Sequence, residues 1–185
     1  MTETTRPKAG QRDRRPPPPL DAAALDRLAL RYVERFATTR GRLTDYLKRK
    51  IRERGWEGAL ADPRGVAERM ALLGYVDDRA YAEARANAMT RRGLGARRIA
   101  VAFRQAGIDE TDAQGLAPAI AESAGAAALA FARRRRIGPW ARAMPDRAGA
   151  ERQIAAMLRA GHRFDVARRI VALAPGDEPD PADFD

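Results

Sequence analysis

Residues 66–108 read VAERMALLGYVDDRAYAEARANAMTRRGLGARRIAVAFRQAGI, three short helical patterns each punctuated by glycine. The first closes on Met70-Ala-Leu-Leu-Gly74-Tyr75, with an apolar residue four before the glycine and another directly after it. That is the grammar of a Schellman stop: the glycine turns left-handed and the residue beyond it folds back, here pairing Tyr75 with Met70. The same pattern recurs at Phe103, Gly107 and Ile108, where Ile99, Ala102, Phe103 and Ala106 keep helical spacing. Outside the quoted stretch it returns at Ile51-Gly55-Trp56 and at Met157-Gly161-His162. Gly55, Gly107 and Gly161 lie 52 and 54 residues apart, and Gly74 and Gly125 follow the first two by 19 and 18.

That spacing predicts an all-α chain of three tandem three-helix repeats, forming an elongated, curved array because units of about 50 residues bury little apolar surface alone. The repeats are expected at 21–75, 76–124 and 125–174. Helix starts support the reading. Asp21 is a good N-cap, with Leu20 placed to staple onto Leu25; Thr39 precedes a second helix running to Gly55, and Asp62-Pro63 opens a third ending at Gly74. Asp77-Asp78 opens a fourth helix to about Arg92, and Gly95 to Ala106 is a fifth. A sixth follows Asp109 and contains Gly115 and Pro118; a seventh runs from about Gly125 into Arg133. An eighth spans Asp146 to Ala160, and a ninth Phe164 to Leu173. No segment alternates as a strand does.

The flanks differ in composition. Residues 1–20 carry five basic and two acidic residues around Pro16 to Pro19, and residues 175–185 carry five acids and three prolines. Both are expected to be disordered tails, basic and acidic respectively. The whole chain has a net charge of +10, so the body from 21 to 174 holds +12, and polyanions or acidic protein surfaces are its natural partners. There is no cysteine, which excludes thiol chemistry, thiolate metal sites and disulfides. The longest apolar run, Ala126 to Ala132, is far short of the roughly 20 residues a membrane span needs. The first residues lack the apolar core of a secretory signal, and a cytoplasmic location is expected.

No catalytic, cofactor or metal site is expected. Asp77 and Asp78 read as helix-capping acids rather than metal ligands. His162, the only histidine, stands where the other repeats place Trp56 and Ile108, so a packing role at the core edge is expected of it. Arg91-Arg92-Gly93-Leu94-Gly95 lacks the preceding strand and the Lys-Ser/Thr of a phosphate loop and reads as a tight turn. Arg97, Arg98 and Arg104 fall on the side of their helix away from Ile99 and Phe103. With Arg133, Arg134, Arg135 and Arg136, they are the candidate residues for binding a partner or nucleic acid. Arg64, Arg69, Arg152 and Arg159 are further surface candidates. Trp140 after Pro139 reads as a packing anchor in a turn.

Three segments resemble the RecX family of recombinase regulators: Leu30-Arg-Tyr-Val33, Leu72-Leu-Gly-Tyr-Val-Asp-Asp78-Arg-Ala-Tyr-Ala82, and Gly93-Leu-Gly95-Ala-Arg-Arg-Ile99 through Gly107-Ile108. The resemblance spans about Leu25 to Leu173 and is strongest from Gly74 to Ile108. It implies a non-enzymatic protein that binds the RecA recombinase and its nucleoprotein filament on single-stranded DNA; a monomer is expected. Such a protein limits ATPase, strand-exchange and coprotease activities, and direct contact with the single-stranded DNA is left open. Three positions depart from the family pattern: His162 replaces an aromatic residue, Arg85 stands where a bulky apolar side chain is common, and Pro118 interrupts the sixth helix. The rival reading from the residues alone is a free-standing helical DNA-binding protein, transcriptional or architectural. No helix end rich in Asn, Gln and Arg marks a recognition helix for it.

Overall fold

The computed structural model describes residues 17–184, and the expected tail is outside the described residues from 1 to 16. The described residues form α1 (Ala22–Val33), α2 (Arg40–Arg54), α3 (Pro63–Leu72), α4 (Asp78–Arg91), α5 (Ala96–Ala106), α6 (Glu110–Glu122), α7 (Ala124–Arg135), α8 (Arg147–Arg159) and α9 (Phe164–Ala172). Short 3₁₀ turns follow at Gly138–Trp140 and Pro181–Phe184. The fold is all-α, as the sequence predicts.

Side-chain caps set most of the starts. Asp21, Thr39, Asp62, Asp77, Asp109 and Asp146 each accept a hydrogen bond from the amide three residues on, at 2.6–3.1 Å. Each such cap satisfies an amide that the helix itself cannot, worth about 1 kcal/mol. Asp78, expected to share the capping role, does something else described below.

Three apolar clusters form the core among the described residues. The first gathers Leu25, Ala29, Leu43, Leu47, Val66 and Met70 from α1–α3 and Val76 from the connection after α3. The second joins Ala82, Ala86, Met89, Ile99, Phe103 and Leu116 from α4–α6. The third joins Ala128, Phe131, Ala132, Met157, Val166 and Ile170 from α7–α9. Leu94, in the turn between α4 and α5, packs against both the second and the third.

Helix stops follow the sequence pattern at three of its four positions. At Gly74, Gly107 and Gly161 the next amide reaches back five residues: Tyr75 N to Met70 O at 2.9 Å, Ile108 N to Phe103 O at 3.1 Å, and His162 N to Met157 O at 3.1 Å. Tyr75, however, is 52% exposed, and Val76 takes the buried place in the cluster that holds Met70. Gly55 differs altogether. It leaves α2 in an extended conformation (φ 84°, ψ 170°) so that its carbonyl accepts from Leu20 N at 3.0 Å, while Leu20 O accepts from Glu57 N at 2.8 Å. Leu20 is thereby fully buried.

Two further expectations change. Gly125, matched with Gly74 in the glycine spacing, does not stop a helix as Gly74 does; it lies buried in the first turn of α7, which starts within one residue of its expected place. Only Ser123 separates α6 from α7, and the chain bends there by 65°. Pro118 lies inside α6 without ending it, on an exposed face where one missing backbone hydrogen bond is cheapest. No single helix among the described residues is long and apolar enough to cross a membrane.

The acidic segment after Pro175, expected as disordered tail, turns back onto the third cluster in its described part. Gly176 N donates to Pro139 O at 2.9 Å, and Phe184 is 4% exposed with the Arg169 guanidinium 4.8 Å above its ring. One aromatic in a run of acids and prolines is enough to anchor it.

Successive middle helices meet end to end. The N-terminus of α2 abuts the C-terminus of α5, where Thr39 Oγ1 donates to Ala106 O and the backbones of Gly41 and Gly107 touch. A Cβ built on Gly107 falls 2.8 Å from Gly41 Cα, closer than real Cβ contacts come. The N-terminus of α5 abuts the C-terminus of α8 in the same way. There Gly95 N donates to Ala160 O at 2.9 Å and Arg97 N to Gly161 O at 3.3 Å, and a Cβ on Gly161 falls 2.5 Å from Arg98 N. The 54-residue interval between Gly107 and Gly161 therefore marks the seams as well as the stops. At both seams unpaired helix-end carbonyls meet donors at the positive end of the next helix.

Candidate polyanion-binding cleft

The two seams carry opposite electrostatics. Across the first, Arg40 is ringed by acids: Nε lies 3.0 Å from Asp78, Nη1 3.4 Å from Glu68, and Nη2 3.1 Å from Asp109 and 4.0 Å from Asp112. Asp78 also accepts from Arg40 N at 2.8 Å, and its side chain is 4% exposed. The hydrogen bond to Asp78 holds the Arg40 guanidinium above its ordinary range. Burial, then the neighbouring Asp109, pushes the Asp112 carboxyl up. With four carboxylates around one guanidinium, this cluster keeps an acidic excess, and it ties α2, α3, α4 and α6 together.

At the second seam the balance reverses. A cleft of about 780 Å³ opens between α5, α7 and α8, walled by Arg98, Arg135, Arg152 and Arg159 over a floor of Leu94, Phe131, Ile137, Ala156 and Ala160. No carboxylate lines it, and none of the four arginines makes an ion pair among the described residues. Arg135 spreads over Phe131, 5.9 Å from the ring centroid. Gln153 lines the same wall, and its Oε1 is buried without a partner. A smaller hollow shares Leu94 and Arg98 and adds Arg85 and Arg92, so the basic strip continues onto α4.

Local sequence explains how four cations come to share one cleft. Arg98 sits in the first turn of α5, opposite Ile99, which is buried in the second cluster. Arg135 ends α7, and Arg152 and Arg159 stand seven residues apart on α8, two turns along one face. Close approach of Gly95 and Gly161 brings these helix surfaces together. Guanidiniums with no carboxylate in the cleft wall present planar donor forks to phosphate or carboxylate oxygens.

Of the arginines singled out from sequence, the structure brings Arg98 and Arg135 into the cleft, with Arg152 and Arg159 from the further set. Arg97 and Arg104 are exposed on α5 outside it. Arg134 folds over the α4–α5 turn and donates to Arg91 O at 3.3 Å. Arg133 is exposed at the end of α7, and Arg136 closes that helix in the left-handed conformation, φ 55°. Arg64 lies near Glu68 and Arg69 pairs with Asp26 at 2.7 Å, both away from the cleft. His162 lies beneath the seam as a packing residue. It is 4% exposed, tilted against Phe131 at 5.6 Å, and its Nε2–H donates to Gly93 O at 3.0 Å. Burial holds its pKa below the ordinary value.

Known proteins give this architecture a family. Residues 77–116 match the family model described as RecX, second three-helix domain. Regulatory protein RecX of Myxococcus xanthus is 31% identical over 180 residues, covering 91% of this chain and 95% of that protein. The RecX regulatory proteins of Agrobacterium fabrum and Thermobifida fusca are 27% and 33% identical, over 82% and 78% of this chain and 84% and 75% of theirs. The crystal structure of RecX from Lactobacillus salivarius has the same fold, with a TM-score of 0.58 at 18% identity over 80% of this chain and 93% of that one. The relatives are regulatory proteins by name, and this chain, 31% identical to the first over 91% of its length, belongs to the RecX family.

Proposed function

We propose that this protein binds a RecA-type recombinase assembled on single-stranded DNA and lowers the activities of that filament, with the arginine cleft as its polyanion-contacting surface. The observation that supports the reading is the cleft itself: four guanidiniums without a counter-charge, in a chain of +10 whose other seam sets four carboxylates around one arginine. A protein with many moderate ionic contacts and no reacting groups regulates by occupying a surface, not by chemistry. RecA ATP hydrolysis on single-stranded DNA, measured with this protein well below the DNA-site concentration, tests the reading. Hydrolysis falls at such ratios if the filament is the target. Inhibition that appears only when bare DNA is saturated assigns the protein to simple competition for DNA instead.

A further inference from the structure

The arginine cleft and the smaller hollow beside it meet at one residue. Leu94 lines both, and its side chain packs against the second and third clusters alike. Its backbone is pinned at three points. Leu94 N donates to Met89 O at 3.0 Å, Gly95 N to Ala160 O at 2.9 Å, and His162 Nε2 to Gly93 O at 3.0 Å. Leu94 still stays partly exposed, so it stands as a fixed apolar ridge between two depressions.

The same chemistry repeats on either side of that ridge. The cleft, about 780 Å³, has Phe131, Ile137 and Ala156 in its apolar floor, and the hollow, about 130 Å³, has Met89, Val101 and Ala102. Arginines rim both. Arg135, Arg152 and Arg159 belong to the cleft, Arg85 and Arg92 to the hollow, and Arg98 to the two together. All six are exposed, no carboxylate lines either space, and none of the six makes an ion pair among the described residues.

A polymer that fills such a strip carries anions along its length and flat apolar faces beside them. An unstacked single strand has both, in its phosphates and its bases. A duplex keeps its base faces stacked inside, and a polyanion without bases meets only the rims. Two side chains favour bases further. The Arg135 guanidinium lies over Phe131, 5.9 Å from the ring centroid, and its outer face is a stacking surface. Gln105, exposed at the edge of the hollow, offers an amide donor and acceptor to a base edge. We propose that Leu94 divides the strip into two seats for unstacked bases of one strand, with phosphates on Arg98 and its neighbours, so that this surface selects single strands over duplexes and over polyanions without bases. The inference rests on the proposed function and names the ligand of its cleft.

The test measures affinity and its salt dependence on the full chain with four probes: oligothymidylate, an abasic strand of the same length, a duplex and polyglutamate. Oligothymidylate binds at least tenfold tighter than the abasic strand, within the range that one stacked base gives. The two plots of log affinity against log salt run parallel, because the phosphate contacts are the same. Duplex and polyglutamate bind more weakly than oligothymidylate at physiological salt. Ala156→Leu fills the floor of the cleft and narrows the gap between the two strands at least threefold, with circular dichroism and the melting temperature reporting that it folds. Equal affinity for the two strands overturns the inference and leaves the cleft a plain polyanion surface. Tighter binding of duplex or of polyglutamate overturns it too, the latter assigning the cleft to an acidic protein. An undiminished gap in folded Ala156→Leu places the bases elsewhere and is equally fatal; if that variant does not fold, the strand comparison decides alone. Wild-type protein that binds none of the four probes removes the polyanion reading of the cleft, and this inference with it.

Discussion

Replacing Gly107 with alanine separates the two duties that one glycine performs. At φ +67° the residue is left-handed, and any side chain there costs about 1–2 kcal/mol. The new Cβ also lies 2.8 Å from Gly41 Cα, where ordinary contact begins at 3.4 Å. Relief requires α2 and α5 to part, and that weakens the Thr39 to Ala106 hydrogen bond, worth about 1 kcal/mol. The total expected cost is therefore about 2–3 kcal/mol. Gly74→Ala is the control, because Gly74 has φ +79° but nothing within 4 Å of its Cβ position; it should cost only about 1–2 kcal/mol. Gly41→Ala isolates the other duty. An alanine within a helix normally gains about 0.5–1 kcal/mol over glycine, yet here the clash with Gly107 should reverse the sign. Urea unfolding followed by far-UV circular dichroism gives the three values, provided the m-value is unchanged. Equal costs at Gly107 and Gly74, or a stabilising Gly41→Ala, would refute the end-to-end seam.

Other consequences follow from the same contacts. Arg40→Met leaves Asp78 buried without its cation. Loss of a fully buried pair costs about 3–5 kcal/mol, and the one-third exposure of Arg40 places this case at or below the lower end, again readable by urea unfolding. His162 is held neutral by burial, so the unfolded chain binds more protons than the native one once pH falls below about 6.5. Stability should therefore decline from pH 7.5 to 5.5 in the wild type; His162→Phe, which removes the only histidine, should flatten that decline in thermal melts. Phe184→Ala should cost about 3 kcal/mol if the acidic segment is anchored as described, and no change in melting temperature would return that segment to a free tail.

The fold was legible because its signals are local. An Asp or Thr three residues before a helical amide and a glycine after an apolar helix end act within one turn, so Asp21, Thr39, Asp62 and Gly161 could be assigned without knowing what surrounds them. Glycine is an ambiguous letter, however. Gly55 turns outward to pair with Leu20, Gly125 is packed inside a helix, and Gly107 is both a stop and a contact point. Only the partner backbone distinguishes these uses. The cleft was half legible. Exposure of Arg98 followed from the helix face opposite Ile99, but Arg98 and Arg159 are 61 residues apart, and their convergence depends on how Gly95 meets Gly161. The Arg133–Arg136 run drew notice as the densest charge, yet a helix end disperses four consecutive side chains, and Arg135 alone reaches the cleft. Asp78 looked like a cap because it neighbours one; its true partner, Arg40, lies 38 residues earlier.

The most direct test of the cleft as the regulatory surface combines Arg98→Gln, Arg152→Gln and Arg159→Gln in one chain. Salt dependence of filament binding and inhibition of RecA ATP hydrolysis are then measured beside the wild type. With helicity unchanged, the expected result is a plot of log affinity against log salt concentration flattened by about two to three units, one for each lost ionic contact, together with lost inhibition. An unaltered slope and full inhibition would show that these arginines are a solvated face and that the regulatory contact lies elsewhere on the molecule.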